Sequence, residues 1–218
     1  MNRKSVFALA YRLVVTFVGS IGVVGHLVQK LMNRPPEQSI AGSMVDYISY
    51  YTIQTNLLVV IWLTIAIIYW KRERDHPILR PKIKGAFTLY ISATFIIYAV
   101  VLAGLWEPQG ADRYLSTISH YITPIAFMID WLLFEKRRTY QWKYAFQWLV
   151  YPLGYLGYSL VYGKITGRYL YPFLNVPVLG WGGLTIRVAI LVVFFIVLGC
   201  TYIAINKSLG RGQRTEPG

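Results

Sequence analysis

Thr52, Thr55 and Asn56 stand at i, i+3 and i+4, and His120 and Thr123 at i and i+3. On helices each set shares one face, and two such faces can meet across a helix–helix contact. A threonine hydroxyl beside an imidazole has the parts of a nucleophile and its base. Histidine takes up the hydroxyl proton readily because its ordinary pKa lies near neutrality. The same residues also suit a plainer role, since Thr, Asn and Gln in apolar helices commonly form interhelical hydrogen bonds. Spacing alone leaves both readings open, and leaves both Thr52 and Thr55 as candidate nucleophiles.

The elements that must carry these residues are apolar blocks. Hydrophobic residues make up 56% of the chain and charged residues 14%, with a mean hydropathy of +0.45. A soluble domain has nearly twice that share of charge. A hydrocarbon core about 30 Å thick needs roughly 20 apolar residues per helix. Six blocks meet or approach that length: about 6–31, 48–70, 87–106, 119–134, 144–162 and 184–205. The expected fold class is therefore all-α, a polytopic six-helix membrane bundle in one domain over 1–209, with a disordered tail at 210–218. Tyr and Trp mark many block ends, among them Tyr47, Trp70, Trp106, Trp142 and Trp181, as aromatic belts do. The first block is longer than a signal-peptide core and is read as an uncleaved span.

The net charge is +13. The basic residues flank apolar blocks, so they report topology and anionic headgroups rather than nucleic acid. Fifteen Lys and Arg fall on the side of the two termini and the second and fourth connections, Lys84 among them, against six on the other side. The expected topology is N-in and C-in. Arg12, just inside the first block, is expected to snorkel to the headgroups. The single cysteine, Cys200, excludes an internal disulfide and any cysteine-built metal site. No metal or cofactor is expected.

This topology places polar residues from four spans in one outer layer: His26; Tyr50, Tyr51, Thr52, Gln54, Thr55 and Asn56; Glu107 beyond the third span; and Ser119, His120, Tyr121 and Thr123. Polar groups in hydrocarbon are costly, so a shared depth calls for a reason. Asp130 follows His120 by ten residues, about 15 Å of helix rise, too far to touch it. It is expected to be an anchor paired with Lys136, Arg137 or a neighbouring helix. Gly19, Gly22 and Gly25, and Gly154 and Gly157, are expected to allow close helix packing. Pro124 and Pro152 are expected to kink or open their helices. The stretch Gly167 to Gly183 reads as an outer interfacial segment.

The run Tyr50-Tyr51-Thr52-Ile53-Gln54-Thr55-Asn56-Leu57 opens the second span. His120 begins the fourth, with Pro124 and then Asp130 before Trp131-Leu132-Leu133-Phe134. The pair resembles the androgen-induced-gene (AIG/FAR-type) membrane proteins, and more closely their bacterial six-span relatives, over most of the chain. Animal members of that family are threonine hydrolases of esters between fatty acids and hydroxy fatty acids. The resemblance implies a catalytic pair of Thr52 and His120. The sequence departs from the family pattern in having Thr55 one turn beyond Thr52 and Asn56 at +4, so Thr52 is preferred over Thr55 rather than assigned.

The leading expectation is thus an intramembrane lipid-ester hydrolase in a bacterial plasma membrane. Its partners would be membrane lipids, including a fatty-acid ester substrate. Thr52 would attack and His120 would act as base. Thr55, Asn56, Tyr51, His26 and Thr123 would line the substrate site, with Thr55 and Asn56 available to an oxyanion. Two alternatives are a carrier or channel for a small polar solute or proton, which needs a continuous polar path to Asp130, and an assembly or sensing protein without its own chemistry.

Overall fold

The computed structural model describes residues 3–72, 76–105 and 107–209, with the side chains of 3–5 excepted. Trp106, Arg74 and the 210–218 tail lie outside the described residues. The described chain is all-helical. Five helical stretches are long and apolar enough to cross a membrane: Val6–Met32, Tyr51–Ile68, Pro81–Leu102, Ala111–Phe134 and Val176–Ser208. That is the make-up of a multi-pass membrane protein. The expected fifth span, 144–162, is divided into a single turn, α7 (Tyr144–Gln147), and α8 (Val150–Thr166). Seventeen residues in α8 rise only about 26 Å, short of a full hydrocarbon core. Pro152 lies in the first turn of α8, where its missing N–H has no helical partner to lose, so it starts the helix instead of kinking it.

The chain divides into two compact units, Met1–Glu135 and Lys136–Gly218. In the first, α1 (Arg3–Met32) is followed by α2 (Ile40–Ser49), α3 (Tyr51–Ile68), α4 (Pro81–Ile97), α5 (Ala111–Thr117) and α6 (Thr123–Phe134). α4 runs on into a π-helical turn at Tyr98–Leu102, and α5 joins α6 through another at Ile118–Ile122. α1 packs on α3 and α6, α3 on α4, and α4 on α6, closing a ring of four helices. The expected start of the second span at Ile48 is instead a break. Tyr50 is extended (φ −74°, ψ 130°) and separates α2 from α3.

α2 is inverted relative to a soluble helix. Ile40, Met44, Val45 and Ile48 are exposed, whereas Ser43, Asp46, Tyr47 and Ser49 are buried. Asp46 takes Lys30 Nζ at 3.2 Å and Gln38 Nε2 at 2.8 Å. The Tyr47 hydroxyl donates to the Val23 carbonyl at 2.6 Å. Burial pushes the Tyr47 phenol up to about 12, so it remains a donor. An apolar outer face and a polar inner one suit a helix bathed in lipid.

At the opposite end of the ring lies a cluster of buried charges. Arg12 (4% exposed), Lys84 (2%), Asp130 (0%) and Glu135 (8%) meet there. Arg12 Nε donates to Asp130 Oδ2 at 2.9 Å, and Lys84 Nζ stands 2.7 Å from Asp130 Oδ1 and 3.7 Å from Glu135 Oε2. Both cations lie over the Trp62 ring, at 5.2 and 4.8 Å. Arg12 therefore does not snorkel. An unpaired Asp130 would cost far more than bending the arginine inward, so the guanidinium turns to the carboxylate. Lys84 is likewise a buried residue of α4's first turn rather than a loop cation. Asp130 is thus anchored by neighbouring helices, through Arg12 of α1 and Lys84 of α4.

Between this cluster and the polar layer sits an apolar core of Val15, Val59, Trp62, Leu63, Ala66, Ile91 and Phe127. The α1 glycines pack as expected. A Cβ at Gly19 would meet Val60 at 3.0 Å, at Gly22 Ile118 and Ser119 at 2.9 Å, and at Gly25 Leu115 at 2.4 Å. At Gly154 and Gly157 a Cβ would meet nothing within 4 Å.

In the second unit, Asn206 of α9 (Val176–Ser208) holds the chain before α7. Its Oδ1 accepts from the Thr139 and Tyr140 amides at 3.0 and 3.2 Å, and its Nδ2 donates to the Lys136 carbonyl at 2.7 Å. α9 starts inside the expected interfacial segment and breaks at Gly180 (φ 63°, ψ 169°), a conformation only glycine holds without strain.

Replacing Asp130 by Ala leaves two buried cations short of their main counter-charge. Asp130→Ala should lose about 3–5 kcal/mol, read as early aggregation in a detergent melting series. An unchanged melting temperature would mean that the cluster does not hold the ring.

Candidate functional site

Thr52 is the second residue of α3, immediately after the break at Tyr50. His120 lies in the π-helical turn between α5 and α6. Pro124 follows that turn and has no N–H to return to it, so an ordinary α-helical ladder cannot run through. The two elements bring Thr52 Oγ1 to 3.3 Å from His120 Nε2.

The other face of the imidazole decides what that contact can do. His120 Nδ1 is 3.0 Å from the Ser116 carbonyl oxygen and 3.0 Å from Ser116 Oγ. A carbonyl can only accept, so Nδ1 carries the proton. The Ser116 hydroxyl in turn donates to Tyr98 OH at 3.1 Å. In the neutral ring, Nε2 is then a bare lone pair facing the Thr52 hydroxyl, which is the orientation of a general base. The Tyr98 ring stacks on the imidazole at 3.8 Å between centroids and 14° between planes, and Tyr121 meets Tyr98 edge-on at 5.5 Å. Tyr98 opens the other π-helical turn. Thus His120 lies in one π-helical turn and its stacking partner opens the other, a form that recurs at functional sites.

The remaining expected residues separate into distinct positions. Thr55 is 1% exposed and faces α4, with Oγ1 2.8 Å from Thr94 Oγ1 and donating to its own helix at Thr52 O. No contact joins it to His120. Asn56 spends its amide protons on the Thr52 carbonyl (2.8 Å) and the Ser119 carbonyl (2.9 Å). It therefore has no N–H left for an oxyanion, contrary to expectation. Tyr51 is buried and Gln54 turns back to the Ile48 carbonyl. His26 lies near the Leu115 backbone and within electrostatic range of His120 and Asp112. Thr123 is buried against Gly19. Sequence reasoning missed Ser116 and Tyr98. The i−4 spacing of Ser116 from His120 was a usable signal, whereas Tyr98 reaches the ring only through the packing of two helices.

No group of three His, Cys, Asp or Glu side chains able to hold a metal occurs among the described residues. Comparison with protein-family models, curated proteins and solved structures finds no match to the chain.

The tautomer can be measured. In ¹⁵N spectra of histidine-labelled protein at neutral pH, His120 is expected to show a protonated Nδ1 and an unprotonated Nε2. The reverse pattern would make Nε2 a donor to Thr52 and rule out its use as a base.

Proposed function

We propose that this chain is an intramembrane hydrolase of fatty-acid esters. Thr52 is its nucleophile and His120 its base. The observation that carries this reading is the 3.3 Å contact of Thr52 Oγ1 with an Nε2 left bare by the Nδ1–Ser116 hydrogen bond. The resemblance of the Thr52 and His120 segments to the androgen-induced-gene proteins supports the same pair, and so supports an acyl ester as substrate.

In this mechanism His120 Nε2 takes the Thr52 hydroxyl proton as Oγ1 attacks the ester carbonyl. His120 then returns the proton to the departing alkoxide. The developing oxyanion would be met by the α3 N-terminus. Its first amides have no intrahelical acceptors, and the Tyr50 side chain does not cap them. Water hydrolyses the acyl-threonine by the same proton route in reverse. The apolar outer face of α2, which leads directly to Thr52, suits a substrate arriving from the acyl-chain region.

The packed apolar core between the Thr52 layer and Asp130 weighs against a continuous polar path and hence against a carrier. The proposed setting is a bacterial plasma membrane, crossed six times with α8 as the fifth span and both termini inside. The basic flanks favour this arrangement.

A fluorophosphonate probe tests the nucleophile. Labelling of purified protein should fall by about 100-fold or more in Thr52→Ala and His120→Ala and survive in Thr55→Ala. Undiminished labelling of Thr52→Ala would sink the proposal. Fusion of fluorescent protein or alkaline phosphatase after α9 tests the topology: fluorescence without phosphatase activity is expected, and the reverse would mean that α8 does not cross.

A further inference from the structure

Many hydroxyls on the helices of this protein are satisfied by their own backbone, although the buried Ser43 and Ser159 hydroxyls are not. Thr16, Thr64, Thr88, Ser92, Thr117 and Thr201 each donate to the carbonyl four residues back, at 2.6–2.9 Å. Ser119 and Thr123 do not. Ser119 lies within the π-helical turn and Thr123 immediately after it, where the carbonyl register shifts, and both are 1% exposed. Ser119 Oγ and Thr123 Oγ1 have no hydrogen-bond partner among the described residues, and neither does Asn56 Oδ1. The two carbonyls facing the Asn56 amide nitrogen fix its orientation, so Oδ1 is an acceptor with nothing to accept.

These three orphans belong to one seam. Asn56 bonds the backbone of Ser119 directly. Ser119 Oγ faces Gly22, and Thr123 Oγ1 lies 3.6 Å from where a Gly19 Cβ would stand. Glycine at both positions lets Ser119 and Thr123 come up against the α1 backbone, where any larger residue would displace them. Leaving three buried polar atoms unpaired would be costly, and more so in a membrane.

We propose that Asn56, Ser119 and Thr123 bind a water molecule against the glycine face of α1. One water answers all three demands: it donates to Asn56 Oδ1 and accepts from both hydroxyls, the three bonds typical of buried water. A cation would fill the oxygen lone pairs but leave both hydroxyl protons without acceptors. The site also lacks a charged ligand to balance it.

The location suggests a use, which rests on the hydrolase reading. The Asn56 amide that bonds the Ser119 carbonyl also bonds the backbone carbonyl of Thr52, so the water lies on the α3 face that carries the nucleophile. In deacylation its oxygen bonds to the acyl carbon and its proton passes to His120 Nε2. The acyl–Oγ1 bond then breaks, and Thr52 recovers the proton from His120.

Thermal unfolding in detergent tests the site independently of any activity. Ser119→Ala and the isosteric Thr123→Val should each melt roughly 2–4 °C lower, while Thr201→Val, as a control, stays within about 1 °C of the parent. Variants melting at or above the parent would overturn the proposal, because deleting a truly unpaired hydroxyl relieves a cost. A density map fine enough to order water should likewise show a peak within hydrogen-bond distance of all three atoms, and its absence would overturn the site. For the catalytic role, the double variant should accumulate acyl-enzyme at an unchanged acylation rate, with turnover at least tenfold lower. Unchanged turnover would sink that role. A parent that hydrolyses no ester would sink the hydrolase reading and leave the melting comparison to decide the water.

Discussion

The Asp130 carboxylate, shared between Arg12 and Lys84, is the interaction on which the first unit depends. A lone carboxylate at this depth would be untenable, and two cations from two other helices neutralise it. Trp62 adds α3 by lying beneath both cations. One carboxylate therefore sets the axial register of four helices. Once Arg12 is pinned to Asp130, the same face of α1 carries Val15 into the apolar core, Gly19 against Thr123 and Gly22 against Ser119. A slide of one residue along α1 would break the ion pair and drive side chains into the Ser119 seam.

Register produces layers. The charged cluster lies at one end, the Val59–Leu63–Phe127 core in the middle, and Thr52, Asn56, Ser116, Ser119 and His120 at the other end. The apolar middle isolates the imidazole from the buried charges. At the polar end the backbone is irregular: a break at Tyr50 and π-helical turns at Tyr98–Leu102 and Ile118–Ile122. Such departures free backbone groups that a regular helix would occupy. Here they set Thr52 at a helix start and turn His120 so that its two nitrogens meet different partners. Rigid packing below thus supports local irregularity above, where chemistry would need it.

Several features were legible in the residues alone. The i, i+3, i+4 spacing foretold that Thr52, Thr55 and Asn56 leave their helix together, and the orientation of the spans foretold that they share a depth with His120. Which of them meets the imidazole was not legible. Thr52 and Thr55 are chemically alike, and only the packing of α4 on α3 draws Thr55 to Thr94. Asn56 had the right chemistry for an oxyanion donor, but the Thr52 and Ser119 carbonyls consume its protons. Lys84 and Arg12 read as flanking cations because linear sequence gives no hint that Asp130 waits across the ring.

The sequence by itself determined the class of the molecule. Apolar blocks of about 20 residues have few alternatives to a membrane, and their basic flanks carry the orientation signal. It also determined which residues could not be left alone, since each buried polar or charged group demands a partner whatever the fold. The partners were decided only by tertiary structure. A hydrogen bond or ion pair is made across a few ångströms between residues as far apart as Arg12 and Asp130, or Thr52 and His120. That proximity arises from the packing of entire helix faces, which no local pattern of residues encodes.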